Sequence, residues 1–157
     1  MGKMSKNPLA LALKKLSSRA YSQKELERYL AKFDFSQEQT EEVVTKLLSW
    51  GYLDDQKLAM DWYTYYTTKK PHGFLYIYKK LQEKGIPEQL ITSLLADYDE
   101  KKELKLARSL AEKIIVNKTN RKSPRRLKNM LARHLYCKGF SKVNIMIVLE
   151  ENFPETF

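Results

Sequence analysis

One segment recurs three times along the chain. Residues 22–48 read SQKELERYLAKFDFSQEQTEEVVTKLL, residues 73–98 read GFLYIYKKLQEKGIPEQLITSLLADY, and residues 127–151 read LKNMLARHLYCKGFSKVNIMIVLEE. Shifts of 51 and then 54 residues bring Leu26 onto Ile77 and Leu131, and Leu30 onto Leu81 and Leu135. The same shifts bring Phe35 onto Ile86 and Phe140, and Val43-Val44 onto Leu94-Leu95 and Val148-Leu149. A period in this range signals a supersecondary unit that buries its apolar face by stacking on its neighbours. The apolar residues within each copy recur at three- and four-residue spacing, the pattern of an amphipathic helix. Each copy is therefore a helix, a tight turn with an apolar anchor, and a second helix. Lys84-Gly85-Ile86 and Lys138-Gly139-Phe140 put glycine where a helix ends in a left-handed residue, and Ser36, Pro87 and Ser141 open the helix that follows.

A further apolar stripe precedes every copy: Leu9, Ala12, Leu13 and Leu16; Leu58, Trp62, Tyr65 and Tyr66; Leu104, Ala107, Ala111, Ile114 and Ile115. The unit is thus three helices of roughly 45 residues, with repeats at 8–51, 54–98 and 101–151. Gly51 reads as a helix stop, and Asp54 or Asp55 as the next N-cap. Only 5 Gly and 5 Pro in 157 residues leave little turn material for a many-stranded sheet. The expected fold is all-α, an elongated, curved array of three tandem three-helix repeats.

Charge is uneven along this array. Residues 1–52 carry 9 basic and 6 acidic groups, residues 53–98 carry 6 and 6, and residues 99–157 carry 14 and 7. The densest run is Lys118, Arg121, Lys122, Arg125, Arg126, Lys128 and Arg133, starting in a polar loop and continuing into the helix after Pro124. On that helix Leu127, Met130, Leu131 and Leu135 define the buried face, so a step of about 100° per residue turns Arg125, Asn129 and Arg133 outward. Repeat superposition places Arg28 on Lys79 and on Arg133, each two residues before the anchoring leucine. The loop expected before each of these helices is basic too: Arg19, then Lys69-Lys70, then Arg121-Lys122. The run and its helix form one solvent-facing basic patch, and regular stacking of the repeats makes Arg28, Lys79, Arg133 and the basic loops a stripe. All twelve residues are expected to meet a repeating polyanion.

The phrase Gly51-Tyr52-Leu53-Asp54-Asp55, then Leu58-Ala59 and Trp62, then Leu81-Gln82-Glu83-Lys84-Gly85-Ile86, resembles the RecX family of bacterial recombinase regulators. Ser22-Gln23-Lys24-Glu25-Leu26 and Lys138-Gly139-Phe140 are similar to its flanking repeats, so the resemblance covers roughly residues 9–150. It implies a non-enzymatic protein that binds the RecA nucleoprotein filament and restrains strand exchange, ATP hydrolysis and coprotease activity, with consequences for DNA repair and the SOS response. Two positions depart from the family pattern. Phe33-Asp34-Phe35 stands where it has Lys-Gly and an apolar residue, and Asp34 is expected to tolerate the left-handed turn. Tyr66 stands where it has an arginine, with Lys69 and Lys70 to supply the charge.

Residues suggestive of chemistry read otherwise. Asp54-Asp55 has no neighbouring His, Cys or third acid and reads as helix capping. His72 and His134 lie in different repeats without a ligand at metal spacing, and Cys137, the single cysteine, excludes an intramolecular disulfide framework. No catalytic, metal-binding or cofactor-binding residue is expected, and no cofactor. Tyr63, Tyr76 and Tyr78 lie off or beside the buried faces, where partial burial or protein contact is the expectation and base stacking the alternative. The basic start Met1-Gly2-Lys3-Met4-Ser5-Lys6 is followed by too short an apolar stretch for a signal peptide, and no stretch reaches the length of a membrane span. A cytoplasmic monomer is expected, with the RecA filament and single- or double-stranded DNA as partners and no membrane. Direct, sequence-nonspecific DNA binding by helix-turn-helix-like repeats is the competing reading.

Overall fold

The computed structural model describes residues 7–155; the basic start at residues 1–6, read above as no signal peptide, lies outside them. The described residues form nine α-helices and no strand: α1 (Pro8–Leu16), α2 (Gln23–Leu30), α3 (Gln37–Ser49), α4 (Asp55–Thr64), α5 (Phe74–Glu83), α6 (Glu88–Leu95), α7 (Glu100–Lys118), α8 (Pro124–Cys137) and α9 (Lys142–Asn152). The starts are set by side-chain caps. Ser22, Ser36, Ser123 and Ser141 each accept a hydrogen bond from the third residue of the helix they open, and Glu25 and Gln39 reach back to complete capping boxes at Ser22 and Ser36.

The chain condenses into two compact units: one runs to Asp61 and includes Leu81–Ile91, and the other holds Trp62–Lys80 and everything from Thr92 onward. Helices α4, α5 and α6 contribute residues to both. In the first unit α1, α2 and α3 pack pairwise around Ala12, Leu26, Leu30, Val43, Val44, Leu47 and Leu53. In the second α7, α8 and α9 pack pairwise around Ala107, Ala111, Leu131, Leu135, Phe140, Ile145 and Val148. The repeat anchors Leu26, Ile77 and Leu131, and Leu30, Leu81 and Leu135, are all fully buried.

Within each unit a lysine carbonyl at the same repeat position ties one repeat to the next. The Ser22 hydroxyl donates to the carbonyl of Lys84, and the Gly73 N–H donates to the carbonyl of Lys138 at 2.8 Å. Residues 22 and 73 are equivalent in the repeats, as are Lys84 and Lys138. Carboxylates from the following repeat reinforce both joints. Asp55 on α4 accepts from the N–H of Gln23 at the start of α2, at 2.9 Å. Glu103 on α7 accepts from the N–H of Phe74 at the start of α5, at 2.9 Å. Gly85 and Gly139 are left-handed, at φ +75° and +80°, and a Cβ on either would lie 2.7 Å from the Lys24 Cβ or 2.5 Å from the Tyr76 nitrogen. Close approach, as well as helix termination, requires glycine here.

The turn after α2 corrects an expectation. No non-glycine residue has positive φ among the described residues, so Asp34 is not left-handed. Instead α2 tightens, with Phe33 N–H donating to Leu30 O at 3.0 Å, and a three-residue turn follows from Phe35 N–H to Phe33 O at 2.9 Å.

Candidate polyanion-binding surface

Between Glu112 and Glu150 the chain has no acidic residue and ten basic ones, so this stretch accounts for the whole net charge of +10. It comprises the end of α7, a 3-10 turn at Thr119–Arg121, α8 and most of α9. Helix α8 opens on Ser123, its N-cap, with Pro124 in the first turn. Leu127, Leu131 and Leu135 bury one face. Arg125, Arg126, Asn129, Arg133 and Tyr136 lie exposed on the other, inside an arc of about 100°.

Among the described residues, Lys118, Arg121, Lys122, Arg125, Arg126 and Arg133 are exposed and their side chains make no hydrogen bond or ion pair. Other cations are engaged: Arg108 chelates Glu151 at 2.5 to 3.2 Å, Lys46 pairs with Glu42 at 3.1 Å, and Lys102 donates to the Tyr63 hydroxyl at 2.9 Å. Arg125 and Arg126 also sit in the first turn of α8, where the helix dipole disfavours positive charge. Stability therefore does not explain their position.

The other basic residues differ in their freedom. Arg28 and Lys79 are exposed on α2 and α5, with the Arg28 guanidinium donating to Glu83 O at 3.5 Å. Arg19 lies 3.6 Å from the centre of the Tyr21 ring and pairs with Glu25 at 3.3 Å, so its charge is already shared. Lys69 and Lys70 correct the expected loop. They close a π turn, Tyr65–Lys69, in which the Thr67 and Thr68 hydroxyls donate to the carbonyls of Tyr63 and Thr64 at 2.9 and 2.6 Å. Lys128 departs too: next to Leu127 it is half-buried at the flank of α8, beside the outward face and not on it.

Of the residues suggestive of chemistry, Asp54, Asp55 and His72 are engaged within the fold, and His134 and Cys137 are exposed. Asp54 caps α4 through the Lys57 N–H at 3.0 Å. Burial, chiefly, raises the Asp55 carboxyl above the usual range, against the pull of the Gln23 N–H. His72 is 5% exposed, its Nδ1–H donating to the Lys70 carbonyl and its ring stacked 3.9 Å from Tyr76. Burial lowers its pKa, which keeps the imidazole neutral at pH 7. Tyr66, in the arginine position, is buried against Trp62, Tyr65, His72 and Tyr76; an aromatic core replaces a charge there. Tyr63 packs edge-on to Tyr98, Tyr76 on His72, and Tyr78 on Phe74, so all three are half-buried in ring contacts. Burial raises the Tyr98 hydroxyl, which stays protonated and donates to His72 O at 2.8 Å.

Two residues escaped the sequence reading. Glu103 is only 3% exposed, and besides Phe74 it accepts from the Ser141 N–H at 3.1 Å and the Asn144 amide at 2.6 Å. Its neighbours in sequence show a charged helix start and give no sign of this. Tyr136 is 75% exposed, and the repeat superposition carries its signal: Ala31, which caps the end of α2, and Gln82 in α5 occupy its place. Among the described residues no group of His, Cys, Asp and Glu could hold a metal ion, and no helix is long and apolar enough to cross a membrane.

Residues 9–47 match the family profile described as RecX, first three-helix domain. The chain is 33% identical over 140 residues to the regulatory protein RecX of Bacillus cytotoxicus, an alignment covering 89% of this chain and 52% of that protein. It is 40% identical over 91 residues to RecX of Pelodictyon phaeoclathratiforme, covering 58% of this chain and 57% of that one. The crystal structure of RecX from Lactobacillus salivarius superimposes with a TM-score of 0.74 at 26% identity, covering 92% of this chain and 94% of that one. The chain spans about half the length of the curated relatives it matches.

Proposed function

The chain belongs to the RecX family of regulatory proteins, and from that premise we propose that it binds the RecA nucleoprotein filament and restrains it. Binding, not turnover, is the mechanism. The protein occupies filament surface and so lowers strand exchange, ATP hydrolysis and coprotease activity, damping recombination repair and the SOS response. One observation carries this reading: the exposed, unpaired cations of the α7–α8 corner, Lys118, Arg121, Lys122, Arg125, Arg126 and Arg133, in a stretch without a single acid. A filament built on nucleic acid offers closely spaced phosphates, and neutralising them releases condensed counterions. Lys69, Lys70 and Lys79, in the same compact unit, add to its cations in this proposal. In the other unit Arg28 offers a further cation, and Arg19 contributes less because Glu25 already holds it.

The test is a titration into preformed RecA filaments, following ATP hydrolysis. Replacing Arg125, Arg126 and Arg133 together by Glu should raise the amount needed for half-inhibition by about ten-fold or more at moderate salt. Unchanged inhibition sinks the proposal. Equal affinity for bare and RecA-coated DNA would favour direct DNA binding instead.

A further inference from the structure

We propose that the outward face of α8 is a docking site for single-stranded nucleic acid, in which Arg125 and Arg133 hold the backbone and Tyr136 stacks on an unpaired base. The inference deepens the filament reading by naming what α8 touches, and it rests on that reading only for where the strand comes from.

Several observations converge on this face. Arg125, Asn129, Arg133 and Tyr136 are spaced at four, four and three residues and turn to one side of a helix whose opposite side is the buried leucine row. From Arg125 to Tyr136 the face is about 16 Å long, room for a few nucleotides. Neither arginine is engaged by a carboxylate or carbonyl among the described residues. Guanidinium groups are planar forks that bind phosphate oxygens two at a time. Tyr136 is 75% exposed, more than any other large apolar side chain described.

Comparison of the repeats isolates this feature. Arg133 has basic counterparts in Lys79 and Arg28, but Tyr136 replaces Gln82 and Ala31. The aromatic thus appears only in the copy whose helix carries the unpaired arginines. The tyrosines at 63, 76 and 78, by contrast, are already packed against other rings. An exposed ring on a cationic track favours single strands over duplex: every unstacked base offers a π-face, whereas a paired base is already stacked on both sides. It also favours a nucleic acid over an acidic protein surface, which would satisfy the arginines but give the ring no stacking partner.

The test uses the full chain with three bare probes: a short labelled oligo-dT, an abasic deoxyribose-phosphate strand of equal length, and a duplex of that length. Fluorescence anisotropy is read at low and moderate salt. Wild type should bind oligo-dT about five-fold or more tightly than the abasic strand. Tyr136→Ala should erase that preference without weakening abasic binding, and Tyr136→Trp should keep it. Arg133→Glu should weaken both strands and flatten the salt dependence. Equal affinity for oligo-dT and the abasic strand, preference for the duplex, or no binding to any bare strand at low salt would each overturn the inference. The filament reading stands or falls separately. Oligo-dT binding as described with no effect on RecA ATP hydrolysis supports this inference and sinks that reading. Filament inhibition together with a Tyr136→Ala variant indistinguishable from wild type on oligo-dT does the reverse.

Discussion

Glu103 is the residue whose removal the fold should feel most. A buried carboxylate serves three donors: the first N–H of α5, the first N–H beside α9, and the amide of Asn144. Truncation takes the acceptor from both backbone N–H groups and leaves the Asn144 amide with only the Glu100 carbonyl, at 3.2 Å, and each unsatisfied buried donor is costly. Glu103→Ala should therefore lose about 3 kcal/mol, read as a shift in the urea midpoint with an unchanged slope. Glu103→Gln should fall between the two, because an amide can accept at one oxygen but repels donors with its nitrogen. Loss of less than about 1 kcal/mol in the alanine variant would mean the three donors find other partners.

At the scale of the element, the turns are where chain geometry is most demanding. Gly51 and Gly139 are both left-handed, at φ +78° and +80°, but a Cβ at Gly51 meets nothing within 4 Å whereas one at Gly139 lies 2.5 Å from backbone. The two substitutions to alanine therefore separate conformational strain from steric exclusion. Gly51→Ala should cost about 1 kcal/mol, the left-handed penalty alone. Gly139→Ala should cost at least about twice that, since main chain must move, and equal thermal shifts for the two would contradict the joint described here. Helices and their repeat order were legible because apolar spacing is local information, as in the alignment of Leu26, Ile77 and Leu131. Glycine as a helix stop was legible for the same reason. That Gly85 and Gly139 also admit a neighbouring repeat was not, because close approach depends on residues some 60 positions away. The same limit hid Asp55, read as a cap for its own helix but bound to the start of α2. The π turn at Tyr65–Lys69 was hidden by a different cause: its threonines sit in an unbroken helical pattern, and the widening comes from their bonds to the backbone.

For the whole molecule, charge and stability pull in opposite directions. Ten cations and no acid between Glu112 and Glu150 repel one another while the remaining chain is balanced, 19 against 19. Raising NaCl from about 0.02 M to 0.2 M should raise the melting temperature, since the Debye length shrinks to the spacing of such neighbours. The variant with Glu at 125, 126 and 133 should melt higher than wild type at low salt, because it relieves repulsion and places acids at a helix start. A protein that grows more stable as it loses its ligand is the signature of a surface kept for binding. If the variant instead melts lower, those arginines serve the fold. The candidate surface was largely readable as a basic run. What the run could not disclose was which cations are free, since the ion pairs of Arg19 and Arg108 are formed by folding.

The joints between repeats are written mostly in main-chain atoms: the carbonyls of Lys84 and Lys138 receive the bonds, and a glycine follows each. Those carbonyls and glycines ask little of side-chain identity, whereas Ser22, Asp55 and Glu103 join the seam through their own side chains. Charges and rings around these main-chain seats can be exchanged without rebuilding the coupling itself. Surface chemistry is thereby free to follow whichever partner each lineage must meet.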